Sequence, residues 1–346
     1  NIPNDFIVKV LDLIDCAIEK NDYTPGELFH DLIQSLSISG SYGEFVTPDH
    51  ISSLIVEMMA PNSNDIILDP FCGTGTILMR AYKYIYKNDL KRLKKEKNKQ
   101  HFIKNIFYGN DLNSTISNLG KINFFLNGIQ NNIDNKDTLS DEFVERNKNK
   151  YSLIISNPPF FLGSSKPCNS ILQKELKTTK SELLALTACL KMLKEGGRAA
   201  IIVPQGILFG SSDAHIEIRK RLVEKNYLKG VVSLPNGVFN PYTSVKASIL
   251  LFEKNSNLTT KKVWFYDIQA DGFSLNQKRV PILSEDKIGP ILKKPLTKLE
   301  HRKNNLPECL FEWQNKKLIS EQSFYIEREI LKENNYDLSI SKYLKD

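Results

Sequence analysis

Ser156-Asn157-Pro158-Pro159-Phe160-Phe161 is the stretch of this 346-residue chain best equipped for chemistry. The Asn157 side chain and the Pro158 carbonyl are hydrogen-bond acceptors, and Phe160 adds an aromatic face close by. Two successive prolines fix their own φ and push the residue before each toward extended backbone, so the acceptors are held in one geometry. Fixed acceptors beside an aromatic ring suit an amino group on a flat ring, gripped through its N–H bonds and stacked on its face. A proline turn capped by an apolar pair is the plainer reading of the same six residues. What stands around them decides between the two.

A second group runs Asp65-Ile66-Ile67-Leu68-Asp69-Pro70-Phe71-Cys72-Gly73-Thr74-Gly75-Thr76-Ile77-Leu78. A β-like run ends in an acid, a turn with two glycines follows, and apolar residues then recur at helical spacing. Strand, turn and helix in that order are what a nucleotide-type loop requires. The turn is not G-x-G-x-x-G, and no Lys-Ser or Lys-Thr pair follows to cradle phosphates. Asp69, opposite Gly73, Thr74 and Gly75, therefore suits a ligand with an ammonium group and no phosphates; S-adenosylmethionine (SAM) is such a ligand. Asp111 closes the next β-like run, 105–111, where an acid binds the hydroxyls of a cofactor ribose. Asp137, in the weaker run 133–139, is a candidate acceptor for the amino group of a cofactor adenine, with loop solubility as its rival role. Ahead of all these, Gly40 to Asp49 carries Glu44, Phe45, Thr47 and Pro48. Its glycines allow a close turn, and Thr47 is expected to cap a helix with Pro48 at the first helical position. The free N–H groups of such a helix start are a natural seat for a carboxylate.

These residues need a frame that brings them together. β-like runs near residues 66–69, 106–110, 153–156, 198–203, 228–234 and 247–252, with the weak one at 133–139, alternate with helical periodicities. That alternation predicts an α/β fold with a doubly wound, mostly parallel, seven-stranded sheet. Asn157 then stands where a strand gives way to a loop, the place where open α/β sheets bind ligands. Leu162–Thr179 reads as a loop beside that point; Pro167-Cys168 lies deep within it, away from any strand tip, so no nucleophilic cysteine is expected. Residues 235–244 offer Phe239 and Tyr242 as a second aromatic wall. Helices are expected at 3–20 and at about Pro25–Leu36. The chain then divides into an N-terminal helical segment (1–40), a central unit (41–255) and a mixed extension (256–346) in which Val263–Ile268 is strand-like. Residues 88–105 are basic and poor in apolar side chains, a solvated surface by default and a candidate contact for a phosphate backbone.

Composition narrows the class. Hydrophobic content of 41% and charged content of 25% are those of an ordinary soluble globule. No apolar run approaches the ~18–20 residues that span a bilayer, and no secretory leader is visible. Cys16, Cys72, Cys168, Cys189 and Cys309 are scattered without a C-x-x-C pair. That pattern predicts a reducing, cytoplasmic setting and neither a zinc site nor a disulfide framework. The net charge of +7 leans toward polyanions such as nucleic acid.

Taken in order, a Thr-Pro helix start, Asp-Pro-Phe-Cys-Gly-Thr-Gly and Asn-Pro-Pro-Phe resemble the adenine-N6 DNA methyltransferases of the gamma arrangement. More narrowly, the chain is similar to the modification (M) subunits of type I restriction–modification systems. The added marks are Gly43-Glu44-Phe45-Val46-Thr47-Pro48, Gly196-Gly197-Arg198-Ala199-Ala200-Ile201-Ile202-Val203-Pro204, Tyr266-Asp267-Ile268-Gln269-Ala270-Asp271-Gly272-Phe273-Ser274 and Tyr336-Asp337-Leu338-Ser339. The resemblance covers roughly residues 40–343.

It implies a SAM-dependent methyltransferase fold and, position by position, roles for the residues above. Asp69, Gly73, Thr74 and Gly75 match the cofactor loop. Glu44 to Pro48, Phe45 included, match the segment that closes over the methionine end, and Asp111 matches the ribose acid. Asn157, Pro158, Pro159 and Phe160 match the catalytic tetrapeptide, which acts on a flipped adenine without metal or covalent intermediate. Double-stranded DNA is the implied substrate, a specificity (S) subunit with two M chains each the implied reader of sequence, and a restriction (R) subunit the further partner. No membrane is involved. The family's M subunits carry a sizeable helical domain before the Thr-Pro segment where residues 1–40 stand here, so a trimmed or reduced N-terminal domain is expected. Two other readings stay open: a protein methylase acting on glutamine amides, which also uses Asn-Pro-Pro-aromatic, and a non-catalytic DNA-binding relic.

Overall fold

A computed structural model describes residues 24–38, 47–160, 170–255, 257, 260–315 and 320–344. The helix expected at 3–20 and the loop residues Phe161 to Asn169, Pro167 and Cys168 among them, lie outside the described residues. The strands are β1 (Ile67–Asp69), β2 (Phe107–Asn110), β3 (Ile133–Asp134), β4 (Tyr151–Ser156), β5 (Leu193–Pro204), β6 (Tyr227–Ser233), β7 (Ala247–Glu253), β8 (Lys262–Asp267) and β9 (Ser323–Glu327). The helices that bear on the site are α1 (Pro25–Ile38), α2 (Asp49–Met59), α3 (Thr76–Asn88), α4 (Glu96–Asn105), α5 (Ser114–Leu126), α6 (Ser181–Met192) and α7 (Leu306–Gln314).

The described strands form one sheet in the order β3-β2-β1-β4-β5-β7-β6-β8-β9. Parallel pairing runs through β3-β2-β1-β4-β5 and recurs between β6 and β8, whereas β7 lies antiparallel between β5 and β6. The fold is thus α/β, doubly wound and mostly parallel, but the expected count of seven strands is corrected to nine. β9 pairs antiparallel with β8, its Tyr325 opposite Trp264. Ser-Phe-Tyr-Ile-Glu is too short and too flanked by polar residues to declare itself; distant β8 supplies its hydrogen bonds. The run 133–139 is corrected as well, because pairing with β2 stops at Asp134.

Side chains leave alternate faces of a strand, and a sheet with helices on both sides needs apolar residues on both. Ile67 of β1 packs with Leu153 and Ile155 of β4 and with α2 and α3, while Leu68 and Ile154 face the opposite layer with α6. Asp69 comes at the tip, where the core ends.

Arg198 of β5 locks this frame. Its guanidinium donates to both oxygens of Asp65 at 2.9 and 2.8 Å and, through Nε, to the Met59 carbonyl at the end of α2 at 3.0 Å. Burial pushes the Asp65 carboxyl up, but the Arg198 hydrogen bonds and charge outweigh it and hold the group below its ordinary value. This contribution is complete above the ordinary carboxylate pKa of about 3.9 and is lost as the pH falls through the lowered one. Arg198→Ala leaves Asp65 enclosed without its cation and should cost about 2–3 kcal/mol at pH 7, read by urea unfolding. Because the partnered Asp65 is what is lost, the difference from the parent should shrink below pH 4.

Candidate functional site

The chain leaves β1 on one side to build β2 and β3, then crosses to the other side with β4. That reversal opens a crevice beyond the carboxyl ends of β1 and β4, the position at which doubly wound sheets bind ligands. Asp69 ends β1 and Ser156 ends β4. The Ser156 hydroxyl donates to Asp69 Oδ1 at 2.5 Å, so two segments 87 residues apart in sequence meet side chain to side chain.

The turn after β1 has a shape that its glycines permit. Gly73 and Gly75 have φ of +54° and +80°, in the left-handed region that side chains disfavour. A Cβ on Gly73 would meet nothing within 4 Å, so the space above the turn is open. The turn is braced from several sides. Gly73 N–H donates to Asp111 Oδ2 at 3.0 Å, the Asn123 amide donates to the Thr74 carbonyl at 3.0 Å, and the Thr138 hydroxyl donates to the Pro70 carbonyl at 2.6 Å. Asn110, fully buried at the end of β2, donates to Thr138 Oγ1 and the Lys136 carbonyl and accepts from Lys136 N–H. These amide braces escape sequence reading, since Asn110, Asn123 and Thr138 look like ordinary polar residues. The one available signal was Asn110 standing just before the acid Asp111.

Asp69 is buried and Asp111 half-buried. Burial pushes the Asp69 carboxyl up to about 7, against hydrogen bonds from Ser156 and Phe71 N–H, with Asp111 nearby adding to the rise. Burial also raises Asp111, opposed by the N–H groups of Asn113 and Gly73. Neither acid makes an ion pair among the described residues, so the crevice favours a ligand that brings positive charge and hydroxyl donors. Asp137 is exposed, with Oδ1 accepting from Leu139 N–H at 2.9 Å in the turn that leads into the next helix.

Asn157 is 9% exposed; its Nδ2 donates to Thr47 Oγ1 at 3.0 Å, and its Oδ1 is buried with no hydrogen-bond partner. Here the expected cap is corrected. α2 begins at Asp49 with Pro48 in the cap position and no side-chain cap bond, because the Thr47 hydroxyl is engaged by Asn157. Glu44 and Phe45 lie outside the described residues. The start of α2 is fastened in two further ways. Asp49 pairs with Arg80 of α3, and His50 Nε2 lies 2.9 Å from Asp271 Oδ2, with Phe273 stacked on its ring at 4.7 Å. Asp271 is itself paired with Arg279. The Asp271-Gly272-Phe273-Ser274 stretch is therefore a support for α2.

Pro158 is buried, Pro159 partly so, and Phe160 is 3% exposed. Phe239, expected as a second open wall, is 1% exposed and meets Phe160 edge to face, with ring centroids at 5.7 Å and planes at 82°. A ring so placed braces Phe160 from within the core, because the apolar loop segment around it packs inward; it does not offer a parallel face.

An open glycine turn at a strand tip, two acids and an Asn-Pro-Pro-Phe at the neighbouring strand thus meet at one crevice. Residues 23–346 match the family described as N-6 DNA Methylase, and the chain belongs to that family. It is 32% identical over 289 residues to the EcoEI type I restriction enzyme methylase subunit of Escherichia coli, covering 81% of this chain and 56% of that one. The MpnII type I methylase subunit of Mycoplasma pneumoniae is 28% identical, with coverage of 88% and 53%. A chain solved in work on the assembly and conformational transition of the type I restriction–modification system superposes with a TM-score of 0.76 at 25% identity, covering 94% of this chain and 64% of that one. The chain thus spans about half the length of the curated relatives it matches. Among the described residues no helix is long and apolar enough to cross a membrane.

The raised Asp69 carboxyl has a measurable consequence. Below pH 4 it is protonated folded or unfolded and costs nothing; between 4 and 7 the unfolded chain ionises first, and stability falls; above 7 the cost is constant. Asp69→Asn keeps an acceptor for Ser156 and removes the charge. It should be more stable than the parent at pH 8 by on the order of 4 kcal/mol and nearly equal to it at pH 4, by urea unfolding at both pH values.

Proposed function

We propose that this chain transfers a methyl group from S-adenosylmethionine to the exocyclic N6 amine of an adenine rotated out of duplex DNA, as the modification subunit of a type I restriction–modification system. The observation that carries the reading is the lone Oδ1 of Asn157: a buried acceptor without a donor, on a carboxamide whose other end Thr47 holds. An amine is a donor of the kind that this oxygen lacks.

The residues of the crevice fit the cofactor. The open space over Gly73 admits a ligand against the turn. Asp69, enclosed without a cation, suits the ammonium end, and Asp111 suits the ribose hydroxyls while its oxygens hold Gly73 and Asn113. Glu44 and Phe45 are proposed to cover the methionine end, and Asp137, with a lone pair to spare, the adenine. SAM supplies an electrophilic methyl group.

The rest of the chemistry is the chain's own. A base inside a duplex is out of reach, so the target adenine must leave the stack. Asn157 Oδ1 and the Pro158 carbonyl accept its two amine hydrogens, drawing the nitrogen toward tetrahedral geometry and freeing its lone pair. Phe160 stacks on the base; both it and Oδ1 have to be uncovered as the base enters, since each is enclosed. Rate then comes from position and from prearranged dipoles.

The relatives named as type I methylase subunits support double-stranded DNA as substrate, with a specificity subunit to read sequence and a restriction subunit in the larger complex. Two of these chains per specificity subunit, in a reducing cytoplasm, complete the proposal.

The test is tritiated-methyl transfer to DNA by the chain with its co-purified partner. Asn157→Ala should lose at least about 10²-fold in rate while cofactor affinity stays within a few-fold; normal transfer in that variant would remove the assignment. Thr47→Val, which frees the carboxamide to rotate and leaves its buried Nδ2 without an acceptor, should lose about ten-fold in transfer and lower the unfolding temperature slightly, while cofactor affinity stays within a few-fold.

A further inference from the structure

The basic stretch that follows α3 takes no part in the crevice. α3 leaves the glycine turn at Thr76 and runs 13 residues, about 20 Å, away from the carboxyl ends of the strands. The helical turn Leu90–Leu93 and α4 then bring the chain back to the start of β2. Both lie at the amino ends of the strands. Asp89 accepts from Ser63 N–H at 2.8 Å ahead of β1, and the Lys104 carbonyl accepts from the Asn132 amide at 2.9 Å ahead of β3. Leu93 and Phe102 turn inward and anchor the two helical pieces in the core.

Residues 87–104 hold eight lysines and arginines against two acids, a net +6 out of the chain's +7. Lys91, Lys94, Lys95, Lys97, Lys99 and Lys104 are exposed, and none has an ion pair among the described residues. The two acids that could answer them are occupied, Asp89 on Ser63 N–H and Glu96 on the Gln100 amide at 2.8 Å. Like charges this close repel one another, and an ordinary surface intersperses the two signs.

Protein interfaces place aromatic and apolar anchors at their centre and are poor in lysine. Here the exposed large apolar side chains between 86 and 105 are Tyr86 and Leu90, both at the α3 end of the stretch. Single-stranded nucleic acid is held by stacking successive bases on aromatic rings, and Tyr86 already stacks on Tyr82 with centroids 6.1 Å apart. Ammonium groups spread over two helical pieces, with neither an apolar centre nor a row of rings, match the regular phosphates of a duplex.

We propose that residues 87–104 form a second surface for duplex DNA, holding its backbone at the amino edge of the sheet. Phosphate contacts of this kind position a duplex without reading its sequence. Because the crevice opens at the opposite edge, the segment held here is not the one that delivers the target base. That the duplex is DNA rests on the function proposed above; the charge and its placement do not.

Anisotropy of a labelled non-specific duplex of about 30 base pairs, titrated with the full chain between about 50 and 200 mM salt, tests the surface. Combining Lys94→Gln, Lys95→Gln, Lys97→Gln and Lys99→Gln should weaken binding at least about ten-fold and lower the slope of log affinity against log salt by about 2–4. The same four positions changed to Arg should keep the parent values, and Tm should not move in either set. Methyl transfer at saturating DNA, with the co-purified partner, should keep its rate in the Gln set. Asn157→Ala should do the reverse, losing transfer while keeping the salt slope, so the two readings fail separately. An unchanged slope in the Gln set overturns the proposal, as does a lowered slope in the Arg set. Equal binding of the parent chain to poly-glutamate, or to phosphatidylserine-containing vesicles, at matched charge concentration overturns it too, since the surface would then answer to an acidic polypeptide or a lipid.

Discussion

Two consecutive side chains at the end of β4 hold the crevice together. Ser156 gives its hydroxyl hydrogen to Asp69, and Asn157 gives an amide hydrogen to Thr47. The first bond ties β4 to the tip of β1, and the second ties it to the start of α2. Because the prolines that follow stop the backbone from continuing as strand or helix, the carboxamide is fixed from both directions. Its remaining oxygen is thereby aimed without being used. An unused acceptor in a buried place is costly on its own.

α2 is the rod that links the distant parts of the molecule. Thr47, just ahead of it, and Asp49 and His50 in its first turn are fastened to Asn157, Arg80 and Asp271 in turn. Its last turn is fastened by Arg198 at the Met59 carbonyl and by Trp313 at the Met58 carbonyl. The same short helix is therefore held beside the crevice at one end and by α7 and β5 at the other. The late sequence, residues 262–327, is joined into the sheet through β8 and β9 and supports α2 through α7 and Asp271.

Enclosed acids without cations recur in this chain and share one physical meaning. Burial pushes Asp69 up to about 7 and raises Asp111 beside it; burial and these two acids together raise the Cys72 thiol, which keeps it protonated and unreactive. The crevice is consequently poised for positive charge. Asp65 and Asp271 show the contrast: each is also buried, yet Arg198 in one case and His50 with Arg279 in the other hold the carboxyl below its usual value.

Local sequence determined much of this. The Asp-Pro-Phe-Cys-Gly-Thr-Gly turn requires left-handed glycines wherever it is folded, and the Asn-Pro-Pro-Phe segment requires an extended, stiff backbone, so both motifs carry their shape with them. The alternation of β and helical periods likewise fixed a doubly wound sheet, because such a pattern has few other ways to bury its apolar faces. What only the tertiary structure decided is whatever depends on a partner far away in the chain. That Thr47 holds Asn157 instead of capping α2, that Phe239 braces Phe160 edge-on, that Asn110 and Thr138 shape the turn, and that β9 exists at all are each set by groups dozens to hundreds of residues distant. A hydroxyl or amide has several possible partners of nearly equal energy, and sequence alone does not say which one packing will bring within reach.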